Sequence, residues 1–149
     1  MIANSRGFSL IELITVMILL GILSITLSSR LGPVNTAAVQ SGRDDIIAAL
    51  FFAQQTAMMR SNGGNIRLVI TSNSVSVTEN NNPIAVTSTY YPLVLPQGVT
   101  ATTTDVDGVF IFDKLGRTTA ASITLTGSGN TAGTSAVIQV EASGYAYAN

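Results

Sequence analysis

The chain has 149 residues, of which seven are Lys or Arg and eight are Asp or Glu, giving a net charge of −1. This balance argues against a nucleic-acid partner, which would require a basic face. A hydrophobic content of 46% is far from a disordered composition. Cys and His are both absent, which excludes disulfides and thiolate metal sites and removes the commonest general base. We therefore expect neither an enzyme nor a cofactor.

A long apolar segment follows a short polar start, residues 1–7, whose one cation is Arg6. Residues 8–29 read FSLIELITVMILLGILSITLSS, in which Glu12 is the only charge. As a helix this segment would measure about 33 Å, enough to cross the core of a bilayer. Because Arg6 is the cation left on the inner side, the sequence predicts a cytoplasmic N-terminus, one membrane crossing and export of the remainder.

A second helix is predicted in the segment 30–64. Gly32 and Pro33 interrupt the first helix, and Asn35 or Thr36 can cap the next one. The segment closes on an Asn-Gly-Gly sequence, which commonly ends helices. One side of this helix is apolar at helical spacing. The residues on that side are Val39, Ile46, Leu50, Ala53 and Ala57.

Residues 65–149 change to a hydrophobic period of two, which predicts β-strands. Short strands joined by tight turns favour an antiparallel sheet, in two packed layers. One face of that sheet can cover the apolar side of the second helix. The predicted fold is therefore α+β, with a long, kinked N-terminal helix packed on an antiparallel β domain. The predicted strands are 66–71, 74–79, 84–88, 90–95, 99–103, 109–112, 122–126 and 136–142, and the predicted turns are 72–73, 80–83, 105–108, 113–116 and 127–135.

The most specific signal lies where the apolar segment begins. From Arg6 the chain reads RGFSLIEL, that is, a basic residue, Gly7, Phe8, a small hydroxyl residue, two aliphatic residues and Glu12. This motif resembles the class III signal of type IV prepilins and pseudopilins. The resemblance implies cleavage between Gly7 and Phe8 by the prepilin peptidase and N-methylation of Phe8. It also implies that the apolar segment is retained, so that the protein lies in the bacterial inner membrane with a periplasmic C-terminal domain before it enters a pilus or pseudopilus.

Glu12 is a carboxylate in apolar surroundings, a placement that costs roughly 2.5–3.5 kcal/mol at the centre of a bilayer. After cleavage it would lie about 6 Å along the helix from the amine of Phe8. We expect it to pair with that amine on a neighbouring subunit and so set the axial register between subunits. The alternative is that Glu12 lies idle near the lipid head groups. Leu10, Ile11 and Leu13 complete the predicted assembly segment.

Three further patches, residues 44–60, 110–117 and 137–147, resemble the minor-pilin group typified by pseudopilin H of type II secretion and the T-type fimbrial minor pilins. Their combination is also similar to the C-type minor pilin of the mannose-sensitive haemagglutinin pilus. The resemblance implies a minor pilin or pseudopilin whose partners are other pilin subunits, the prepilin peptidase, an inner-membrane assembly platform and, before assembly, lipid. The last patch corresponds to the final hairpin of the family.

Two local alternatives stay open in the β region. Asp105, Asp107 and Asp113 are weak candidates for a calcium site, because carboxylates supply hard oxygen ligands, but Asp-Gly is also an ordinary turn pair. We assign no metal site. Tyr90 and Tyr91 could form an exposed contact patch or pack half-buried in a strand.

Nucleic-acid binding and membrane-anchored adhesion are the two alternatives to filament assembly. The C-terminal tail has aromatic residues but no cation, so we expect no nucleic-acid partner. The stronger alternative is a single-pass membrane-anchored periplasmic binding or adhesion module that does not polymerise. Replacement of Glu12 separates the two, because only a filament subunit needs its carboxylate for assembly.

Overall fold

The computed structural model describes residues 10–28, 34–60, 65–84, 91–128 and 133–149. The chain divides into two compact units, Met1–Val34 and Asn35–Asn149. The predicted leader, residues 1–7, and the predicted break at Gly32 and Pro33 lie outside the described residues.

Helix α1, Leu10–Ser28, belongs to the first unit and coincides with most of the predicted apolar segment. It contains no Pro, and its residues are mainly aliphatic. Glu12 lies in its first turn, where a negative charge interacts favourably with the positive end of the helix dipole.

Helix α2, Val34–Met59, lies within the segment 30–64, of which residues 30–33 and 61–64 are outside the described residues. Its end is set by Arg60, whose N–H donates to the carbonyl of Ala57 at 3.3 Å, a tightening typical of a last turn. Arg60 also pairs with Glu79 at 3.0 Å. The predicted Asn-Gly-Gly stop lies outside the described residues. All five residues predicted to face inward are buried, namely Val39, Ile46, Leu50, Ala53 and Ala57.

Nine strands lie among the described residues and form two antiparallel sheets. The first sheet has the order β3-β2-β1-β6, and β4 also pairs with β2; the second has the order β5-β7-β8-β9. The bounds are β1 Ile66–Ile70, β2 Ser74–Glu79, β3 Asn82–Pro83, β4 Leu93–Val94, β5 Val99–Thr103, β6 Val109–Phe112, β7 Ala121–Gly127, β8 Ser135–Val140 and β9 Ala146–Ala148.

One core joins α2 to the inner faces of both sheets. Leu68 and Phe110 of the first sheet, Ile123 and Ile138 of the second, and Leu50 of α2 belong to the same buried cluster. The longer strands β1, β2, β5, β6, β7 and β8 bury alternate residues, as the period of two predicts. The helix and the two sheets together confirm the predicted α+β class.

The outer face of the second sheet carries hydroxyl groups. Thr100 of β5 lies opposite Thr126 of β7, and their hydroxyl oxygens are 2.9 Å apart. The hydroxyl of Thr104 accepts a hydrogen bond of 2.9 Å from the N–H of Ser122. No strand residue of this sheet is charged.

The turn predicted at 80–83 is shorter in the structure, where it consists of Asn80 and Asn81 alone. Asn80 and Asn81 have φ values of 51° and 66°, a left-handed backbone that Asn tolerates better than most residues and that a two-residue hairpin requires. These two residues reverse the chain by themselves. Asn82–Pro83 is therefore strand β3 rather than part of the turn.

The strand predicted at 90–95 is reduced to Leu93–Val94. Pro92 has no N–H to give to a sheet, so pairing starts only after it. Of the strand predicted at 84–88, the structure describes only Ile84, which is buried and lies outside any strand.

The remaining strand predictions are confirmed, three of them to the residue (β2, β5 and β6) and three within two residues at either end (β1, β7 and β8). Strand β8 ends at Val140 instead of residue 142 because Glu141 starts a turn. The N–H of Glu141 donates to the carbonyl of Tyr145 at 2.9 Å, and the N–H of Gly144 donates to the carbonyl of Glu141 at 2.8 Å. Strands β8 and β9 form the final hairpin expected from the resemblance.

Candidate functional site

The first turn of α1 holds the predicted assembly residues. Leu10, Ile11, Glu12 and Leu13 are all helical and exposed. Consecutive helical residues point in different directions around the axis. Apolar side chains therefore flank the carboxylate of Glu12 on both sides of the helix. The hydroxyl of Thr15, one turn on, donates to the carbonyl of Ile11 at 2.7 Å, so its polarity is satisfied within the helix.

Exposed apolar side chains continue along α1 as far as Ile22, with exposed fractions from 45% at Ile14 to 76% at Leu10. A helix that is apolar on all sides normally lies buried in other structure. Gly7 and Phe8, the predicted processing junction, lie outside the described residues.

Among the residues whose side chains the structure describes, no helix is both long enough and apolar enough to cross a membrane.

A second polar feature lies near the C-terminal end of α2, where Gln54 joins two distant turns. Its amide nitrogen donates to the carbonyl of Gly116 at 3.1 Å and to the carbonyl of Ser143 at 3.2 Å. An amide nitrogen has two N–H donors, and here both are used. One side chain thus fastens the 113–116 turn and the β8–β9 hairpin to α2.

Glycine is required in both turns at this junction. Gly116 has a φ of 74°, and a Cβ there would lie 2.8 Å from Cγ of Gln54. Gly144 has a φ of 83°, and a Cβ there would collide with the carbonyl oxygen of Gly116. The left-handed backbone and the close approach both require the absence of a side chain.

Replacing Gln54 with Glu is expected to destabilise the fold by about 1–3 kcal/mol. The carboxylate has no N–H to give, so two carbonyls lose their donor and face a negative charge instead. Urea unfolding of the full chain in detergent at neutral pH would measure the loss. Below about pH 4 the carboxyl regains a proton and one donor, so the loss should shrink.

Gln55→Glu is the matched control for this experiment. Gln55 is the next residue of α2 and is exposed, so a carboxylate introduced there is solvated by water. Equal unfolding midpoints for the two variants would show that the contacts of Gln54 do not stabilise the protein.

Aromatic rings surround this junction. Phe51 of α2 meets Tyr145 edge to face at 6.4 Å, and Tyr145 stacks on Tyr147 at 5.7 Å. The hydroxyl of Tyr147 donates to Glu141 at 3.2 Å, and this hydrogen bond raises the pKa of Tyr147. The three rings form a partly exposed edge where the C-terminal hairpin meets α2.

The predicted tyrosine patch is resolved in favour of packing. Tyr91 is half-buried and stacks on Phe52 at 5.8 Å, and Tyr90 lies outside the described residues. Burial raises the pKa of Tyr91, and the neighbouring carboxylate of Asp45 raises it further. Burial also raises the pKa of Asp45, with a second contribution from Asp44.

The weak calcium candidates are not brought together. Asp105 and Asp107 precede β6, and Asp113 follows it. Asp113 accepts from the N–H groups of Arg117 at 2.8 Å and Leu115 at 2.9 Å. The bond from the Arg117 N–H is the main cause of the lowered pKa of Asp113, to which the Arg117 guanidinium, 2.8 Å away, also contributes. No cluster of three potential metal ligands occurs within the described ranges. Asp113 is thus occupied in shaping its own turn.

Sequence analysis did not identify the junction around Gln54. The sequence predicts both the turn at 113–116 and the hairpin, but it does not single out Gln54. Its bonds join residues 62 and 89 positions away, which a local pattern does not reveal. The available signal was the pair of glycines, Gly116 and Gly144, each in a tight turn.

Comparison with known proteins gives one match to the N-terminal segment and two to the fold. The family model described as the prokaryotic N-terminal methylation motif matches residues 2–28. No curated protein matches the chain.

Two crystal structures of the type IV minor pilin FimU from Pseudomonas aeruginosa strain PAO1 are similar to this chain. The first gives a TM-score of 0.56 at 18% identity, covering 74% of this chain and 87% of that one. The second, from another crystal form, gives 0.54 at 19% identity, covering 74% and 91%. At this identity the likeness establishes the fold.

Proposed function

We propose that this chain, which carries the prokaryotic N-terminal methylation motif and the fold of a type IV minor pilin, is a minor pilin or pseudopilin that assembles into an envelope filament. The motif and the fold together support a type IV minor pilin. The observation that carries the proposal is their occurrence in one chain, because neither is expected of a module that is merely anchored.

The proposal begins with processing. A prepilin peptidase cuts between Gly7 and Phe8 and methylates the new amino group. A glycine before the cut suits a site where another backbone must approach closely. The apolar segment 8–29 stays on the mature protein and holds it in the inner membrane, with the domain from Asn35 onward in the periplasm. Arg6 accounts for this orientation.

Assembly then depends on α1. Its apolar side chains leave lipid only when equivalent contacts with other subunits replace it. Glu12 follows Phe8 by four positions in the sequence and, in this proposal, pairs with the new amine of Phe8 on a neighbouring subunit. With little water to screen it, such a charge pair is strong at close range, and a charge left unpaired there is costly, so the pair selects one axial register among many similar apolar contacts.

The role is structural rather than catalytic. The fold matches that of a filament subunit, and the chain lacks the histidine and cysteine on which much acid–base and nucleophilic chemistry depends. The partners proposed are other pilin subunits, the prepilin peptidase and an inner-membrane assembly platform. The likeness to FimU favours a pilus over a secretion pseudopilus.

Mass spectrometry of the N-terminus tests this function. Chain purified from cells with an active prepilin peptidase should begin at N-methylated Phe8 and lack residues 1–7. The matched control is Gly7→Val, whose branched side chain should block the peptidase and leave the chain starting at or near Met1. A wild-type chain that retains its leader beside a processed pilin in the same cells would contradict the proposal.

A further inference from the structure

One side of strand β6 has no described strand beside it. In the order of the first sheet β6 comes last, and among the described strands it pairs with β1 alone. The N–H of Ile70 in β1 donates to the carbonyl of Gly108 at 2.8 Å, so every second residue from Gly108 onward directs its N–H and C=O toward β1. Val109 and Ile111 direct theirs to the opposite side, where these four groups have no hydrogen-bond partner among the described residues. We refer to the backbone groups of Val109 and Ile111 as the β6 edge.

The β6 edge is accessible and held in place. Ile111 is 45% exposed, and Val109 is partly exposed. The strand reads Val-Phe-Ile-Phe, which contains no proline, glycine or charge to discourage pairing. Its other two residues, Phe110 and Phe112, are buried in the core and fix the backbone. A strand that is already extended and fixed loses little conformational entropy when a partner is added.

The other edges formed by the described strands are covered or very short. The N–H of Ala101 in β5 donates to the carbonyl of Ser72 at 2.9 Å, so a turn lies along that edge. Ala146 of β9 is 3% exposed, so packing covers its backbone. Strands β3 and β4 have two residues each, and β3 ends at Pro83. Folded proteins commonly protect sheet edges in these ways, and among the described strands β6 is the exception.

The β6 edge specifies an extended polypeptide as its partner. Its N–H and C=O groups recur every second residue, about 7 Å apart, which is the pattern that another strand presents. Addition of a strand to an exposed edge uses these main-chain hydrogen bonds for affinity and the alternate side chains for specificity. The exposed side chain of Ile111 would face an apolar side chain directly across the new pair. No charged residue lies within β6 to attract a phosphate or a nucleic acid.

A second copy of β6 is a poor partner for this edge. Antiparallel pairing of two copies satisfies all four groups only when Val109 of each lies opposite Ile111 of the other. Continuing that register by two residues sets Asp107 of each copy against Asp113 of the other, and like charges directly opposite are destabilising. Arg117 already bonds the carboxylate of Asp113, so it offers Asp107 no free cation. The edge therefore suits a strand from an unlike chain.

We propose that the β6 edge binds an extended segment of an unlike pilin subunit as one further antiparallel strand, an inference that rests on the proposed role as a filament subunit. The added strand lies beside β6 and extends the first sheet. Its backbone supplies the donors and acceptors that Val109 and Ile111 lack within the described part of the chain. The contact uses no residue of α1, so it can be tested separately from Glu12.

Amide hydrogen exchange tests the pairing in the wild-type chain. The full-length chain is measured residue by residue in detergent, and again in filaments that it has entered with the other pilin subunits of its host. The amides of Val109 and Ile111 should exchange rapidly in detergent and at least about tenfold more slowly in filaments, because hydrogen bonding protects an amide from exchange. Phe110 already faces β1 and is the internal control, slow in both. Unchanged rates at Val109 and Ile111 would overturn the proposal.

The same measurement distinguishes a second copy from an unlike subunit. In chain purified alone, the exchange rates of Val109 and Ile111 should not depend on protein concentration. Protection that increases with concentration in detergent would identify a second copy as the partner and overturn the proposal.

Ile111→Pro removes one donor from the β6 edge and leaves the bonds to β1 in place, because the lost N–H points away from β1. Phe110 before it is already in a strand, the conformation that a following proline favours. The variant should be processed to Phe8 but recovered in filaments about fivefold less than the wild type. Ile111→Val keeps the N–H and a branched side chain, and this matched control should assemble normally. Equal recovery of the two variants would contradict the proposal, and the exchange measurement tests it even if the proline variant does not fold.

The inference and the proposed function fail in different ways. If the chain is not a filament subunit, its N-terminus stays uncut and it does not enter filaments. If it is a subunit that binds its neighbours otherwise, the mature chain begins at Phe8 and enters filaments, while Val109 and Ile111 exchange there as fast as in detergent.

Discussion

Glu12→Leu is expected to leave the protein processed and inserted in the membrane but almost absent from filaments. In the proposed pairing, the substitution removes the carboxylate and leaves the amine of Phe8 on a neighbouring subunit without its partner. Breaking one member of a poorly hydrated ion pair typically costs about 3–5 kcal/mol. That corresponds to a hundredfold or greater loss of binding. The measurement is the fraction of chain recovered in sheared filaments relative to the membrane fraction.

Thr15→Val is the control for Glu12→Leu. It also replaces a polar side chain of α1 by an aliphatic one, but the hydroxyl it removes bonds only within the helix. Its recovery in filaments should match the wild type. If Glu12→Leu also assembled normally, the pairing role would be wrong, and a membrane-anchored module that does not polymerise would become the better account.

Gly144→Ala is expected to have the largest effect on stability, roughly 2–6 kcal/mol. Part of that loss is backbone strain, since Gly144 has a φ of 83°, a region that costs a residue with a side chain about 1–3 kcal/mol. The rest is steric, because the new Cβ meets the carbonyl of Gly116 and overpacking typically costs a further 1–3 kcal/mol. Relieving the clash would also separate the two turns that Gln54 holds. Urea unfolding of the full chain in detergent is the measurement.

Gly98→Ala separates the two causes. Gly98 has nearly the same backbone, with a φ of 80°, but an added Cβ there would lie at an ordinary 3.4 Å from the nearest atom. It should lose only the strain component. Equal losses for the two variants would show that the contact between the C-terminal hairpin and the 113–116 turn is not close in solution.

Periodicity accounts for what sequence analysis predicted of the fold. The inward residues of α2 recur at helical spacing, those of β2 and β5 alternate with polar residues, and β6 is an apolar run between turns, so these elements needed no tertiary information. The region from Asn80 to Leu95 did need it. Two left-handed asparagines shortened one turn, and Pro92 restricted a strand that composition alone would have drawn longer.

The candidate sites also divide into one that the sequence predicts and one that only the structure reveals. The motif around Glu12 is contiguous, and each of its residues could be assigned from the sequence. The junction at Gln54 arises from long-range packing, because the carbonyls it bonds lie 62 and 89 positions away. Asp113 was considered as a ligand, and only the structure shows that its oxygens are committed to Arg117 and Leu115.

The hydroxyl-bearing outer face of the second sheet matters if the domain is exported, as proposed. Threonine and serine side chains neither gain nor lose protons over the range that bacteria meet, and their attraction for water does not depend on dissolved ions. The face around Thr100 and Thr126 should therefore keep the same wetting in acid, alkali, fresh water or brine.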